Sequence, residues 1–163
     1  MDFKNLKQKA IDLKNKAIDL TDKGILKVSE KLWESSLVIK TAQELEDFTK
    51  KSENKTHVNN EWVTKVFTKR VFLVLWDSKD NFFKEFLILI PVLLAKSFSQ
   101  NISLKMADIS NDQIDYKKYE VSDFPCMIVF ENNEIYKIIV WENNIKTIIK
   151  DFNLDINKTI DNI

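Results

Sequence analysis

Residues 119–136 read Tyr-Glu-Val-Ser-Asp-Phe-Pro-Cys-Met-Ile-Val-Phe-Glu-Asn-Asn-Glu-Ile-Tyr. Cys126–Phe130 is a continuous apolar run of strand length, and Ile135–Val140 is a second, rich in β-branched residues. Between them lies Glu131-Asn-Asn-Glu134. An Asn-Asn pair supplies the positive φ angles of a tight hairpin in place of glycine. The stretch therefore reads as two antiparallel strands, with a proline, Pro125, at the entry to the first.

Working upstream, Val71–Trp76 (VFLVLW) is apolar at every position, as expected of a central strand covered on both faces. Asp77–Asp80 turns the chain into a long apolar helix over about 81–99, which Pro91 must kink by removing a donor. Ile102–Asp108 is the next strand. Ser110-Asn-Asp-Gln113 has the form of a capping box and predicts a short helix to about Tyr119. Further upstream, Leu37–Lys40 reads as a short strand, and Thr41-Ala-Gln-Glu44 as a capping box. The helix it opens turns Leu45 and Phe48 inward. Residues 53–64 read as a polar loop holding the lone histidine, His57, a solvated side chain. Downstream, a last helix is expected over about 142–152, and 153–163 is a tail with helical character.

Residues 1–34 differ from the rest. KAIDLKN (9–15) is followed directly by KAIDLTD (16–22), a repeat of period seven. On a helix, Leu6, Ala10, Ile11, Leu13, Ala17, Ile18, Leu20 and Ile25 share a broad apolar face. Gly24 stops this helix, and a shorter one follows over 25–34. The division expected is thus an amphipathic extension, 1–34, and a folded domain, 35–163.

Composition removes many chemistries. The 163 residues carry 25 Lys+Arg against 25 Asp+Glu, so no broad electrostatic footprint for nucleic acid is present. One Cys excludes an internal disulfide, a CxxC pair and a cysteine-rich zinc site. One His excludes a multi-histidine centre, and one Gly excludes glycine-rich phosphate loops. No small-molecule cofactor and no metal is implied. The longest apolar run, Phe86–Ala95, falls short of a membrane span, and the N-terminus has no apolar signal core. A cytoplasmic location, with or without peripheral membrane contact, is expected from these features and the single thiol.

The order from residue 36 is strand, helix, strand, kinked helix, strand, short helix, hairpin, helix. Together with Tyr119–Phe130 it resembles the thioredoxin-like fold family, over roughly 36–155. The resemblance implies an α/β fold with a mixed central sheet flanked by helices. It also implies that Pro125 is the family's cis-proline beside the active-site groove, and that Pro91 is the proline of the helix after it. The family's Trp-Cys-Gly-Pro-Cys motif falls just after Trp76, where Asp77-Ser-Lys-Asp-Asn-Phe-Phe83 stands without a thiol. Val74 replaces the family's buried acid, and Trp141 a small residue. Dithiol exchange needs an attacking and a resolving thiol, so the resemblance is to a redox-inactive member.

Cys126 is the one weak candidate for catalysis: either a single reactive thiol at the groove, or a small buried residue opening a strand. Asp77 and Asp80 read either as a carboxylate pair or as acids before a helix, where the dipole favours them. Trp76, Asp77, Phe82, Phe124, Pro125 and Trp141 are the expected lining of a groove for a polypeptide partner; the competing reading places these rings in the core. Residues 3–34 either dock on the domain, self-associate or bind a partner helix, or lie on a membrane. Eight lysines against six acids over 1–34 give the last reading little electrostatic help. The function expected is a non-catalytic protein-binding or scaffold protein. The alternatives are a single-cysteine thiol enzyme or sensor at Cys126 and a peripheral membrane protein held by 3–34.

Overall fold

The computed structural model describes residues 31, 34–58, 64–80, 83–140, 148 and 155–163. The amphipathic face from Leu6 to Ile25, with Phe82 and Trp141, lies outside the described residues, as does all of 142–152 except Ile148.

Helix α1 (Ala42–Thr49) begins as its capping box dictates: Glu44 N–H donates to Thr41 Oγ1 at 3.2 Å. The reciprocal bond reaches one residue further back, from Lys40 N–H to Glu44 Oε2 at 2.7 Å. Leu45 and Phe48 are buried, and a 3-10 turn, Lys50–Ser52, follows. The polar stretch expected as a loop instead holds an antiparallel hairpin, β1 (Lys55–Val58) and β2 (Thr64–Phe67). Thr56 and Val58 on one strand and Thr64, Val66 and Phe67 on the other supply β-branched and aromatic residues. His57 accordingly sits on β1, paired in register with Lys65, and not in a loop.

Four strands make the main sheet: β3 (Arg70–Trp76), β4 (Ser103–Asp108), β5 (Cys126–Glu131) and β6 (Glu134–Val140). Their order is β4-β3-β5-β6. Strand β4 runs parallel to β3, and β5 runs antiparallel to both β3 and β6. Strand β3 is central and apolar on both sides, as its composition required. Phe72, Val74 and Trp76 face one buried cluster, and Val71, Leu73 and Leu75 the other.

The first cluster is covered by α2 (Phe83–Ser99), which runs without interruption through Pro91 and buries Phe86, Ile90 and Leu93. Ile148 joins it, as do Ile156 and Ile160 of α3 (Ile156–Asp161), so the tail is helical as expected. Lys96 is fully buried on α2, and its Nζ donates to the Ile148 carbonyl. That bond anchors the one described position of the segment before α3. The second cluster is covered by α1 and by the stretch between β4 and β5.

Two expectations are corrected here. Residues 37–40 shrink to a single bridge, Val38 to Met106, because a turn at Ser35 brings Val38 N–H onto the Ser35 carbonyl at 3.3 Å. The short helix after Ser110 is absent: the stretch is turns ending in a 3-10 segment, Lys117–Tyr119. Asp108 Oδ1, Asn111 Oδ1 and Asp115 Oδ1 each accept a backbone N–H two residues on, from Ser110, Gln113 and Lys117. Such local bonds compete with a helical ladder. Ile114, Tyr116 and Tyr119 are still buried against the sheet.

The β5–β6 hairpin turns on Asn132 (φ 52°) and Asn133 (φ 62°), with Glu131 paired to Glu134. Both central residues have positive φ, as a two-residue type I′ connection requires. The turn is tied to α1's 3-10 extension: Asn132 N–H donates to the Ser52 carbonyl and Asn133 N–H to Ser52 Oγ.

Candidate functional site

The end of the sheet where β3 and β4 finish and β5 begins collects the residues singled out in the sequence. Leu75 pairs with Cys126. The β3–β5 ladder ends at this pair, with Trp76 and Asp77 following on one strand and Pro125 and Phe124 preceding on the other. The Phe124–Pro125 peptide is cis. Pro125 is buried, whereas Phe124 and Asp77 are half-buried.

The structure separates the expected groove residues. Asp77 follows β3 and Phe124 and Pro125 precede β5, all at this end of the sheet. Trp76 does not line a groove: it is 3% exposed and packs on Phe86 with ring centroids 5.9 Å apart. It lies on the α2 side of the sheet, in the cluster with Phe86, so burial outweighs presentation at the surface.

Asp77 is engaged locally. Its Oδ1 accepts Lys79 N–H at 2.9 Å, and its carbonyl accepts Asp80 N–H at 3.1 Å. This Asx turn carries the chain from β3 toward α2 in the place where the resemblance puts a dithiol loop. The role of Asp77 is to shape that turn. Among the described residues, no group of three or more His, Cys, Asp or Glu is arranged to hold a metal ion.

Cys126 opens β5 and has no solvent exposure. Burial pushes its thiol up to about 12, with Asp123 adding to the rise and a backbone hydrogen bond at Leu75 opposing it. This is the environment of an apolar strand residue, opposite to the electropositive, accessible setting of reactive thiols. Tyr119, close by in the same cluster, is likewise pushed up to about 12, first by burial and then by Asp115.

The architecture now stands as a central β3 with β4 parallel and β5 antiparallel, a cis-proline entering β5, and a proline-containing helix after β3. The fold is thioredoxin-like. Comparison with solved structures agrees. The oxidised thioredoxin from Plasmodium falciparum superposes with a TM-score of 0.50 at 12% identity, over 74% of this chain and 100% of that one. Mitochondrial thioredoxin 3 from Saccharomyces cerevisiae gives 0.52 at 11% identity, over 74% and 98%. The thioredoxin of Malassezia sympodialis gives 0.51 at 13%, over 71% and 88%. No protein-family model and no curated protein sequence matches the chain. At such identities the likeness is one of thioredoxin-like fold.

Sequence reasoning missed a polar cluster at the opposite end of the sheet. Arg70 Nε meets Glu131 Oε2 at 2.7 Å, and Arg70 Nη1 meets Asp161 Oδ1 at 2.8 Å. The guanidinium lies 4.2 Å from the centroid of the Tyr136 ring, whose Oη donates to Asp161 Oδ1 at 2.9 Å. Lys137 Nζ donates to the Ile160 carbonyl at 2.8 Å. Together these bonds fasten α3 to β3 and β6, and β3 to β5. The only signal in the sequence was a lone arginine at the head of an otherwise apolar strand.

Proposed function

We propose that this thioredoxin-like chain is a redox-silent protein-binding module. The observation that carries the reading is Cys126: the chain's one thiol is buried, pushed up to about 12, and set behind Pro125. Attack on a disulfide requires a thiolate. A thiol with that value is ionised to roughly one part in 10⁵ at pH 7. The turn after β3, where the resemblance puts the dithiol, offers a carboxylate already engaged with the backbone.

On this reading the half-buried Asp77 and Phe124, beside the buried Pro125, form the surface that takes an extended polypeptide. Phe124 is the apolar contact on this reading, and Asp77 holds the adjoining turn. The apolar face of residues 3–34, from Leu6 to Ile25, supplies a second association surface for a partner helix or a second copy.

Two measurements test the proposal. Reduction of insulin disulfides in the presence of dithiothreitol should proceed no faster with the protein than without it. Extended peptides, screened as a panel, should shift the backbone amide resonances of residues 122–124 and 126, and Phe124→Ala should remove those shifts while the chain still melts in one cooperative transition. Catalytic turnover of insulin, or a panel that leaves those amides unmoved, defeats the reading.

A further inference from the structure

A second surface lies at the other end of β4, on the sheet's edge. A cavity of about 290 Å³ opens there, lined by Leu37, Leu94, Phe98 and Leu104 together with Phe48, Lys51 and Lys105. Its described lining contains no acid, and neither lysine is ion-paired among the described residues. Phe98 is 64% exposed, the largest exposure among the described big apolar side chains. The volume is at the lower end of small-molecule sites and suits a few side chains better than a cofactor.

The backbone beside it is an incomplete ladder. Met106 spends both its outward groups on the 37–39 segment: its N–H donates to the Leu37 carbonyl and its carbonyl accepts Ile39 N–H, both at 2.8 Å. In a parallel strand the residue two places back turns its N–H and C=O to the same side. That residue is Leu104, and the 37–39 segment ends before reaching it. Ser35 bends the chain away, through Leu37 N–H to Ser35 Oγ and Val38 N–H to the Ser35 carbonyl, both at 3.3 Å. Among the described residues no backbone group pairs with Leu104 from the outer side.

The two sides of this edge differ in chemistry. Leu104 packs in the cluster beneath α2, with Leu37 and Leu94 against it. Lys105, one residue on, points to the opposite face by strand alternation, the face that carries α1 and the 3-10 turn with Lys51. We propose that the Leu104 edge of β4 binds an extended peptide in which apolar and acidic residues alternate. Such a segment adds as a strand, placing its apolar side chains by Phe98 and its carboxylates by Lys51 and Lys105.

A second copy of the chain fits less well. Edge-to-edge pairing about an axis normal to the sheet brings the lysines of both copies to one face, and the other symmetric pairing sets lysines against the apolar side. The chain's own 9–22 repeat has a period of seven, not two. The proposal is independent of the Phe124 surface, which lies at the opposite end of β4.

The test uses the full chain and a fluorescein-labelled peptide of five Glu-Val repeats. Controls are a Lys-Val peptide, a peptide with the same Glu and Val in two blocks, and a Glu-Val peptide N-methylated at alternate residues. Binding by anisotropy is expected for the first alone. It should slow hydrogen exchange at the Leu104 amide and weaken about tenfold or more in the Lys51→Glu, Lys105→Glu double variant. Phe98→Ser, at an exposed position, should also weaken it, whereas Phe124→Ala should not. Equal binding of the Lys-Val, block or N-methylated peptide overturns the proposal, as does indifference to the lysine variants. A Leu104 amide already protected in the free chain at every concentration means the chain covers its own edge. Protection that grows with concentration means a second copy does. Either result also overturns it.

Discussion

Cys126 shows how position governs a side chain's chemistry. A thiol pushed up to about 12 stays protonated at neutral pH. N-ethylmaleimide at pH 7 should leave it unmodified in the folded chain and label it fully in guanidinium. Asp161 makes the converse case. The hydrogen bond from Tyr136 lowers its pKa from the ordinary 3.8; burial opposes this, and Arg70 adds to the lowering. Its contribution is therefore complete above the ordinary carboxylate range and is lost as pH falls through the lowered value. Asp161→Asn should weaken the chain at neutral pH, and the deficit should shrink below pH 4 when urea melts are run across that range. Arg70→Ala removes both carboxylate partners and the ring contact, and should cost about 1–2 kcal/mol in the same melts.

At the scale of elements, the turn at Asn132–Asn133 is the most exacting. Asn133→Val forces a β-branched residue to φ 62° and should cost about 1–2 kcal/mol, whereas Asn133→Gly should cost nothing. Equilibrium urea unfolding of the two variants makes the comparison. This hairpin was legible in the sequence because its requirement is local: two residues that tolerate positive φ, flanked by apolar runs. The same holds for β3, whose six apolar positions admit no exposed face, and for the Thr41 cap. The stretch after Ser110 was misread because a capping box and a run of Asx turns share one alphabet. Which of them forms depends on whether Ile114 and Tyr116 reach the sheet, a tertiary matter. The β1–β2 hairpin was obscured by its charged and amide residues, although Thr56, Val58, Thr64 and Val66 gave a usable signal. Trp76 was assigned to the groove by analogy of position. Strand alternation puts its ring on the side of Phe72 and Val74, and only the packing of α2 decides that it is covered there.

For the whole molecule, the two clusters lie on opposite sides of the sheet, with β3 contributing to both. Phe72 has 1% exposure and Leu73 none, one on each side of β3. Phe72→Ala should cost about 3–5 kcal/mol and Leu73→Ala about 2–5, and each should lower a single cooperative transition seen by circular dichroism. Among the described residues, no helix is long and apolar enough to cross a membrane. Whether residues 3–34 touch lipid is answered by sedimentation with anionic vesicles. The expected outcome, from their small positive excess, is no pelleting of the full chain.

Strand β3 has a consequence for synthesis. Its wholly apolar VFLVLW segment is made early, yet the cluster beneath α2 is closed by Ile156 and Ile160. Trp76 and Ile160 are 84 residues apart. At ribosomal speeds of about 5–20 residues per second, the strand waits roughly 4–17 s for its cover. Throughout that interval α2 can cover only part of the apolar strand, so the yield in a cell should track the supply of chaperones that bind exposed apolar segments.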